Sequence, residues 1–422
     1  MPSASEHLAD LAAFVQASPT SFHAAAEGAR RLEAAGFREQ VETDEWDPSP
    51  GGHYLVRDGA LVAWRVPEGA GPLTPFRMVG AHTDSPTFVL KPRPDRTVYG
   101  WQQVGVEIYG GPLLNSWLDR ELGLAGRLVL ADGSVTLVRT GPVLRIPQLA
   151  IHLDRTIGEA GLKLDRQQHT TPIWSVGRPD SGILEHVAGL AGRRPAEVDG
   201  YDLLAFDTAA PAVFGAHAEF FASARLDNLG SVHAGLVALL AAESSDAVQL
   251  LAAFDHEELG SASRTGASGP LLADVVARIT GALGATPDQQ HRSMAASFCV
   301  SADAGHAVHP NYPERHDPAN RPLLNAGPLL KINANQRYAT DGRGAARWRR
   351  ACRAADVPVQ EFVSNNALPC GSTIGPLTAT RLGVATVDVG LPLLSMHSAR
   401  ELAGAEDPAS LIRALAAYWS ED

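Results

Sequence analysis

Residues 224–261 read ARLDNLGSVHAGLVALLAAESSDAVQLLAAFDHEELGS, and this stretch decides the fold class. Apolar residues recur at helical spacing over Leu229–Ala242, which predicts an amphipathic helix. The uninterrupted apolar run Val248–Phe254 is typical of a strand that is buried on both faces of a sheet. A helix followed by such a strand predicts an α/β domain, and the polar residues Asp255–Glu258 would then follow the carboxyl end of the strand.

Similar short apolar runs on both sides of this stretch extend the predicted sheet. These runs are Gly59–Val66, Phe76–Ala81, Ser297–Ser301 and Val384–Val389. Near the N-terminus, residues 5–37 predict helices that are interrupted where Ser18-Pro19 breaks the helical spacing. The chain therefore alternates helices and buried strands towards both of its ends.

The middle of the chain has a different pattern. Aliphatic and β-branched residues partly alternate over residues 98–109, 127–139 and 143–153, with turn-forming pairs such as Asp132-Gly133 between them. Residues 162–202 show no clear periodicity, and no element is predicted there. We expect a catalytic α/β domain from residues 1–91 and 216–422, interrupted by an inserted β-rich domain at residues 92–215.

The composition excludes several classes of protein. The 422 residues include 35 Lys plus Arg and 47 Asp plus Glu, so the net charge of −12 provides no basic surface for nucleic acid. Three cysteines are too few for a disulfide framework. The N-terminal residues lack the pattern of a signal peptide, and no run approaches the ~18 apolar residues of a membrane span. We expect a cytoplasmic protein that binds neither nucleic acid nor membranes.

Polar side chains that can bind a metal ion follow the predicted apolar runs at five points. They are His82 with Asp84, Asp227 with Asn228, the sequence Asp255–Glu258, Asp303 with His306, and His397. Because open α/β sheets bind ligands at the carboxyl ends of their strands, these groups are expected to share one site. Each has a structural alternative, such as a surface turn at His82, a helix N-cap at Asp227 or a core histidine at His397. Together, histidine and carboxylates without thiolate favour zinc, manganese or cobalt at a hydrolytic centre.

Six motifs resemble those of the aspartyl aminopeptidases, a family of dizinc metallo-aminopeptidases. They are GAHTDSP (Gly80–Pro86), ARLDNLGS (Ala224–Ser231), DHEELGS (Asp255–Ser261), SADAGHAVHPNY (Ser301–Tyr312), GPLLKINANQRYAT (Gly327–Thr340) and SMHSARE (Ser395–Glu401). The motifs occur in the family's order over nearly the whole chain. The resemblance implies an α/β/α zinc-exopeptidase catalytic domain with an inserted β-rich dimerisation domain.

The resemblance also implies two zinc ions per chain, with manganese or cobalt as alternatives. The implied ligands are His82, Asp227, Glu258, Asp303 and His397. If Asp227 bridges the two ions, each ion has three protein ligands and a position for water, which is the pattern of a catalytic site. Glu257 takes the place of the general base beside a metal-bridging hydroxide. Asp84 is expected to hold the other ring nitrogen of His82.

Four further residues are implied to contact the substrate. They are His306, Lys331 and Tyr338, together with His152, which would reach into the site of a partner subunit. Lys331 is the cation expected to pair with an acidic side chain, so the predicted activity is the removal of N-terminal Asp or Glu from peptides. Dimers are expected to gather into a dodecamer.

Two alternatives stay open at this point. An aminopeptidase of the same fold that prefers neutral N-terminal residues would carry the same motifs. A catalytically inactive oligomeric scaffold would keep the fold, but it would not need to keep every implied ligand together with Glu257.

Overall fold

The structure is a computed structural model of the chain and describes residues 2–178, 182–243 and 245–421. By their contacts, these residues form two compact units. The first unit contains the residues up to Asp84, Pro211–Met396 and the residues from Glu401 onward. The second unit contains Ser85–Ala210 and the short segment His397–Arg400.

The strands are numbered in chain order. They are β1 Arg38–Glu39, β2 Gly51–Arg57, β3 Ala60–Val66, β4 Phe76–His82, β5 Thr87–Val98, β6 Trp101–Tyr109, β7 Leu122–Leu130, β8 Val135–Arg139, β9 Ile173–Val176, β10 Val198–Asp207, β11 Ala212–Phe214, β12 Phe220–Ser223, β13 Val248–Phe254, β14 Phe298–Ala302, β15 Gly305–His306, β16 Leu329–Ile332, β17 Gln360–Val363, β18 Ala385–Gly390, β19 Pro392–Leu394 and β20 Glu401–Gly404.

The α-helices are numbered in the same way. They are α1 Ala4–Ala17, α2 Ser21–Ala34, α3 Ile157–Ala160, α4 Ile183–Leu190, α5 Leu226–Ala241, α6 Leu271–Ala282, α7 Pro287–Ala296, α8 Gly342–Ala354, α9 Ile374–Leu382 and α10 Asp407–Trp419. Across the part of the chain that the structure describes, none of these helices has the length and apolar character needed to cross a membrane.

The first unit is built on a nine-stranded sheet with the order β1-β2-β3-β13-β4-β14-β18-β16-β17. The central strands β13, β4, β14 and β18 pair in parallel. Every residue of β4, β13 and β14 is buried. Burial on both faces explains why these strands have unbroken apolar runs in the sequence.

Alternate residues of the central strands pack into two hydrophobic cores, one on each face of the sheet. Val79 and Leu251 belong to the core that also contains apolar residues of α1, α2, α5, α8 and α10. Met78 and Leu250 belong to the other core, which contains residues of α6, α7 and α9. Helices therefore cover both faces of the sheet, and the predicted α/β/α fold class is confirmed.

The parallel strands bring candidate site residues to one edge of the sheet. Because β13, β4 and β14 are neighbours and run in the same direction, their carboxyl ends lie side by side. His82 is the last residue of β4, Asp255 follows β13 and Asp303 follows β14. Helix α5 packs on β4 and places Asp227 in its first turn. The sheet topology alone thus gathers residues that are more than 200 positions apart in sequence.

A smaller five-stranded sheet, with the order β11-β12-β20-β19-β15, completes the first unit. Two of its strands continue directly from the strand ends of the large sheet. Strand β15 begins at Gly305, two residues after Asp303, and pairs with β19, which follows β18 after Leu391. Pairing of His306 with Leu393 therefore fixes the backbone at both positions.

The second unit has an antiparallel six-stranded sheet with the order β8-β7-β10-β5-β6-β9. The predicted turn at Asp132-Gly133 joins β7 to β8. Position 126 in β7 requires glycine, because a Cβ atom on Gly126 would lie 1.9 Å from the Asp202 carbonyl oxygen. These features agree with the β-rich pattern of the sequence.

In two parts of the second unit, the secondary structure differs from what the sequence predicts. The partly alternating residues 143–153 do not form a regular strand: isolated bridges form at Leu144, Arg145 and Ile146, and a 3-10 turn follows at Ile151–Leu153. Pro147 lies between them and has no N–H to donate to a continuing ladder. In contrast, residues 162–202 contain β9, α4 and the start of β10, although their sequence showed no periodicity.

Candidate metal centre

His82 is a buried histidine with carboxylates on both sides of its ring. Its side chain is 1% exposed. Atom Nδ1 lies 3.1 Å from the Asp84 carbonyl oxygen and 3.3 Å from Asp84 Oδ1. Atom Nε2 lies 3.3 Å from Asp227 Oδ1 and 3.3 Å from Asp303 Oδ1. A hydrogen on Nδ1, donated to Asp84, leaves the Nε2 lone pair directed towards the other two carboxylates.

Asp227 reaches His82 from the start of α5. The backbone of Asp227 and Asn228 departs from helical angles, and the peptide bond between them is cis. The Asp227 N–H donates to Glu401 Oε2 at 2.9 Å, and Asn228 Nδ2 donates to the Ala302 carbonyl oxygen at 2.9 Å. The entry into α5 is therefore fixed to both β20 and β14.

Asp303 reaches His82 from the loop after β14. Its N–H donates to the Val389 carbonyl oxygen at 3.0 Å, which continues the pairing of β14 with β18. The next residue along β18 has to be glycine, because a Cβ atom on Gly390 would lie 1.5 Å from the Asp303 carbonyl oxygen. The close approach of the two backbones thus fixes the position of the Asp303 main chain.

The three facing groups of His82, Asp227 and Asp303 fit a zinc ion. Their ligand atoms all lie within 4.8 Å of one another. Zinc binds nitrogen and oxygen at about 2.0–2.1 Å with tetrahedral angles, so two ligand atoms of one ion are roughly 3.3–3.4 Å apart. The distance of 3.3 Å from His82 Nε2 to each aspartate oxygen matches this spacing. One imidazole and two carboxylates also form a donor set that zinc accepts.

Glu257 and Glu258 follow β13 in a single 3-10 turn, Glu257–Leu259, which Asp84 holds in place. The N–H of Glu257 donates to Asp84 Oδ1 at 3.0 Å, and the N–H of Glu258 donates to Asp84 Oδ2 at 3.1 Å. Both glutamates form a second metal-competent group with His82. Asp84 therefore contacts the His82 ring and both backbone amides of the glutamate turn.

The electrostatics of this cluster shift two pKa values upward. Burial raises the pKa of Glu257 to about 7, and Asp303, Asp227 and Asp84 add to the rise while His82 opposes it. Burial alone would lower the pKa of His82, but hydrogen bonds to Asp227, Asp303 and Asp84 outweigh it and raise the pKa well above the usual value. Burial is thus the main cause of the raised Glu257 pKa, whereas the neighbouring carboxylates are the cause of the raised His82 pKa.

Three predicted substrate residues lie in the first unit. Lys331 on β16 is 1% exposed, and its Nζ donates to the Ala304 carbonyl oxygen at 2.6 Å and lies 3.5 Å from Asp303 Oδ2. The Lys331 ammonium also lies 5.3 Å from the centre of the buried Tyr338 ring. Tyr338 and His306 line a cavity of about 340 Å³ next to the end of β19.

Two predicted site residues, His397 and His152, belong to the second unit. His397 begins the segment His397–Arg400, has a positive φ of 65°, and places Nδ1 3.1 Å from the Gly111 carbonyl oxygen. His152 lies in the exposed 3-10 turn Ile151–Leu153. Their roles at a metal centre stay predictions.

Comparison with known proteins identifies the family. The family described as "Aminopeptidase I zinc metalloprotease (M18)" matches residues 14–419. The chain belongs to the M18 aminopeptidase family. One relative, "Probable M18 family aminopeptidase 2" of Streptomyces coelicolor, is 55% identical over 419 residues, which cover 98% of this chain and 97% of the relative.

Solved structures agree with this membership. A chain of "Cryo-EM structure of the Ape4 and Nbr1 complex" is 35% identical with a TM-score of 0.95, over 99% of this chain and 86% of that one. The mApe1 dodecamer of S. cerevisiae is 29% identical with a TM-score of 0.87, over 98% of this chain and 96% of that one. The predicted resemblance to metallo-aminopeptidases is confirmed, and this M18 aminopeptidase is a peptide-bond hydrolase of a zinc-dependent family.

Glu401 of this M18 aminopeptidase also supports the candidate centre, although its place there was not predicted from the sequence. Its side chain is 2% exposed and accepts the N–H of Asp227. The residue ends the motif SMHSARE, and an acidic residue at the start of the buried strand β20 was the available signal. A charged side chain is rarely buried without a specific partner.

Proposed function

We propose that this M18 aminopeptidase removes acidic residues, Asp or Glu, from the free N-termini of peptides. The observation that carries the hydrolytic part of the proposal is the group of His82, Asp227 and Asp303, whose ligand atoms have the spacing of zinc ligands. The acidic preference is the finer part, and it needs its own support.

We propose that two zinc ions bind per chain, with manganese or cobalt as alternatives. His82, Asp227 and Asp303 would hold one ion, and the other would be held by Asp227, Glu258 and His397. When bound, zinc polarises a scissile carbonyl and lowers the pKa of water. The excess of buried carboxylates supports this assignment, because buried charge requires a partner of opposite sign.

Glu257 is the proposed general base. With a pKa of about 7, its carboxylate accepts a proton from water near neutral pH and can return it to the leaving amine. Asp84 positions this carboxylate through the backbone amides of the turn, at 3.0 and 3.1 Å. In this proposal Glu257 handles the proton and the adjacent Glu258 binds metal, and one turn held by Asp84 carries both residues.

The acidic preference rests on charge and on the family resemblance. The net charge of −12 and the carboxylates around His82 oppose an acidic substrate, so its side chain needs a nearby cation. Lys331 is the proposed cation, with hydrogen bonds from His306 and Tyr338. One observation favours a neutral preference instead, because the Lys331 ammonium is buried and already donates to the Ala304 carbonyl oxygen.

A panel of matched substrates tests the preference. Aminoacyl derivatives of Asp, Asn, Glu, Gln, Leu and Ala with one common leaving group should be compared by kcat/KM. Asn and Gln are the controls, because they keep the size of the acidic side chains and remove only the charge. We expect Asp and Glu to be cleaved at least ~10-fold faster than their amides, since a site that pairs a charge rejects analogues without it. Faster cleavage of Leu than of Asp would establish the neutral preference.

We propose further that the protein is a homo-oligomer in which the inserted domain, residues 92–215, forms dimers. The relative from S. cerevisiae is a dodecamer and matches nearly the whole chain, which supports a dodecamer of six dimers here. In the dimer, His152 would complete the site of the partner subunit. The cytoplasmic location expected from the sequence stays a prediction.

Complementation between inactive subunits tests the role of His152. His152→Ala and Glu257→Gln should each be inactive alone. In a mixed dimer the His152→Ala subunit keeps its own Glu257 and receives an intact His152 from its partner, so co-expression should restore part of the activity. Failure to restore it, or light scattering that shows an active monomer, would refute this arrangement.

A further inference from the structure

Lys331 is a buried cation whose ammonium has only internal partners among those the structure gives. It donates to the Ala304 carbonyl oxygen at 2.6 Å and lies 3.5 Å from Asp303 Oδ2. The ring of Tyr338, at 5.3 Å, covers another side of it. Because burial of an ammonium is costly, its place is set by these groups.

Asp303 uses its two carboxylate oxygens in different directions. Oδ1 lies 3.3 Å from His82 Nε2, and Oδ2 lies 3.5 Å from Lys331 Nζ. The carboxylate is thus held between an imidazole and an ammonium, which restricts rotation of its plane. Loss of the ammonium would free Oδ2 and allow Oδ1 to turn away from His82.

The backbone that carries Asp303 also packs on Lys331. A Cβ atom on Gly305 would lie 3.1 Å from Lys331 Cε and 2.5 Å from Leu329 Cδ1, so the chain after Asp303 runs directly over the lysine stem. With the ammonium bonded to the Ala304 carbonyl oxygen, Lys331 contacts the main chain and the side chain of the same short loop.

A second carboxylate, Asp388, balances the charge of Lys331. Leu330 pairs with Val389 in the antiparallel β16–β18 ladder, and Lys331 and Asp388 are the next residues on the two strands. Asp388 is 0% exposed, and its two oxygens accept hydrogen bonds from Thr373 Oγ1 and from the Ala339 N–H, both at 2.6 Å. Asp388 is therefore bonded elsewhere, which leaves Asp303 as the carboxylate that the lysine can orient.

We propose that Lys331 is a positioning residue for the metal centre: it orients the Asp303 carboxylate towards His82 Nε2 and so sets the zinc affinity of the His82–Asp227–Asp303 group. The inference rests on the proposed function, in which these three residues bind zinc. It gives Lys331 a role that is independent of the charge of the substrate.

The Lys331→Met variant tests the inference, with zinc binding measured by competition against a chromogenic chelator. We expect the affinity at one of the two zinc positions to fall by about 10–100-fold, the usual effect of removing a group that holds a metal ligand. At limiting zinc, cleavage of neutral substrates should fall with zinc occupancy, and excess zinc should restore it. Cleavage of acidic substrates should stay low even with excess zinc, because the proposed partner of the acidic side chain is also lost. Lys163→Met, at an exposed lysine of the second unit, is the matched control and should bind zinc like the wild type.

A second comparison keeps the test valid if Lys331→Met alone does not fold. Asp303→Asn and the double variant Asp303→Asn with Lys331→Met should have the same residual zinc affinity, because the lysine acts through Asp303. The double variant also removes both members of the buried pair, which is milder than leaving one charge alone.

Two outcomes would overturn the inference. One is a Lys331→Met enzyme with wild-type zinc affinity that loses only the cleavage of acidic substrates. The other is a double variant that binds zinc more weakly than Asp303→Asn. Failure of the proposed function itself would appear separately, as a wild-type enzyme that binds no zinc or has no acidic preference.

Discussion

Two buried histidines of the first unit, His82 and His233, both contact aspartate but have opposite surroundings. His233 lies on α5 with a 0% exposed side chain, and its Nε2 lies 2.7 Å from Asp10 Oδ2. The same Asp10 oxygen accepts a hydrogen bond from Arg31 at 2.9 Å. Arg31 also contacts Glu27, which pairs with Arg30, so two carboxylates face two guanidinium groups and the imidazole adds a neutral donor.

The surroundings of His82 contain more carboxylates than cations. Its ring nitrogens lie within 3.3 Å of oxygens of three aspartates: Asp84, Asp227 and Asp303. The pKa values reflect the contrast. Burial lowers the pKa of His233, although Asp10 opposes the change, whereas the carboxylates around His82 raise its pKa above the usual value despite burial.

The comparison shows that a buried histidine–aspartate contact can belong either to a structural pair or to a candidate metal site. A histidine–aspartate pair whose charges balance stabilises the packing of α1, α2 and α5. A histidine among several buried carboxylates leaves negative charge uncompensated, and such a site is stable only with bound cations or protons. Charge balance around a buried histidine, more than the residue types, distinguishes the candidate metal centre from the structural pair.

Removal of the metal should have the largest effect. After dialysis against a chelator, we expect peptidase activity at the level of the buffer blank. A general base alone cannot replace the metal ion that polarises the scissile carbonyl. We also expect a lower unfolding temperature, since a ligand at 100 times its Kd stabilises the folded state by about 2.7 kcal/mol. Activity and calorimetry before and after chelation, and after zinc is returned, provide the measurement.

Asp10→Asn is the control for this experiment, because it alters the balanced pair and leaves the His82 cluster intact. Its response to chelator and zinc should equal that of the wild type. A chelated enzyme that keeps its activity, or an unfolding temperature that zinc does not change, would contradict the assignment of the His82 cluster as a metal centre.

The next effect in size concerns the two adjacent glutamates of the centre. Glu257→Gln should keep both ions while kcat falls by ~10²–10⁴, as expected for loss of a general base. Glu258→Gln should instead release one ion, because a neutral amide is a poor ligand. Zinc content per chain, measured together with kcat, separates the two. Loss of zinc from Glu257→Gln would show that the roles are assigned wrongly.

The sequence predicted the first unit well because its signals are local. Strand β13 has the bounds that the apolar run Val248–Phe254 predicts. Helix α5 begins at Leu226, but Asp227 and Asn228 depart from helical angles, so its regular part begins at the predicted Leu229. In the second unit, by contrast, β9 and the first residues of β10 are at most half-buried, so residues 162–202 carry no apolar periodicity that would indicate them.

The sequence predicted that His82, Asp227 and Asp303 would lie close together, but it did not predict the contacts that hold them in place. Strand ends identified His82 and Asp303, since parallel neighbours place such residues at one edge. No sequence pattern indicated that Asp84 contacts the backbone amides of Glu257 and Glu258, because the partners of a backbone amide depend on the tertiary structure. The burial of Lys331 against Asp303 was equally hidden, since a lysine after apolar residues is usually exposed.

The smallest expected effect concerns His233 and depends on pH. At pH 7 the His233→Gln variant should lower the free energy of unfolding by about 1–2 kcal/mol, because a buried hydrogen-bonded ring is lost from the contact with Asp10. Activity and zinc content should stay unchanged, since His233 is not part of the metal centre. Urea unfolding at a series of pH values measures the difference between variant and wild type.

The sign of the pH dependence follows from the lowered pKa of His233 in the folded state. The unfolded chain binds a proton at this residue near pH 6.5, whereas the folded protein binds it only at lower pH, so stability rises with pH across that interval. As the pH falls below about 6.5, the wild type should lose stability that His233→Gln does not lose, by at most ~1.4 kcal/mol for each pH unit. The difference in the free energy of unfolding between wild type and His233→Gln should therefore decrease as the pH falls from 7 to 5.5. A difference that stays constant or increases would mean that His233 is protonated in the folded state, and the pair with Asp10 would then be a buried ion pair.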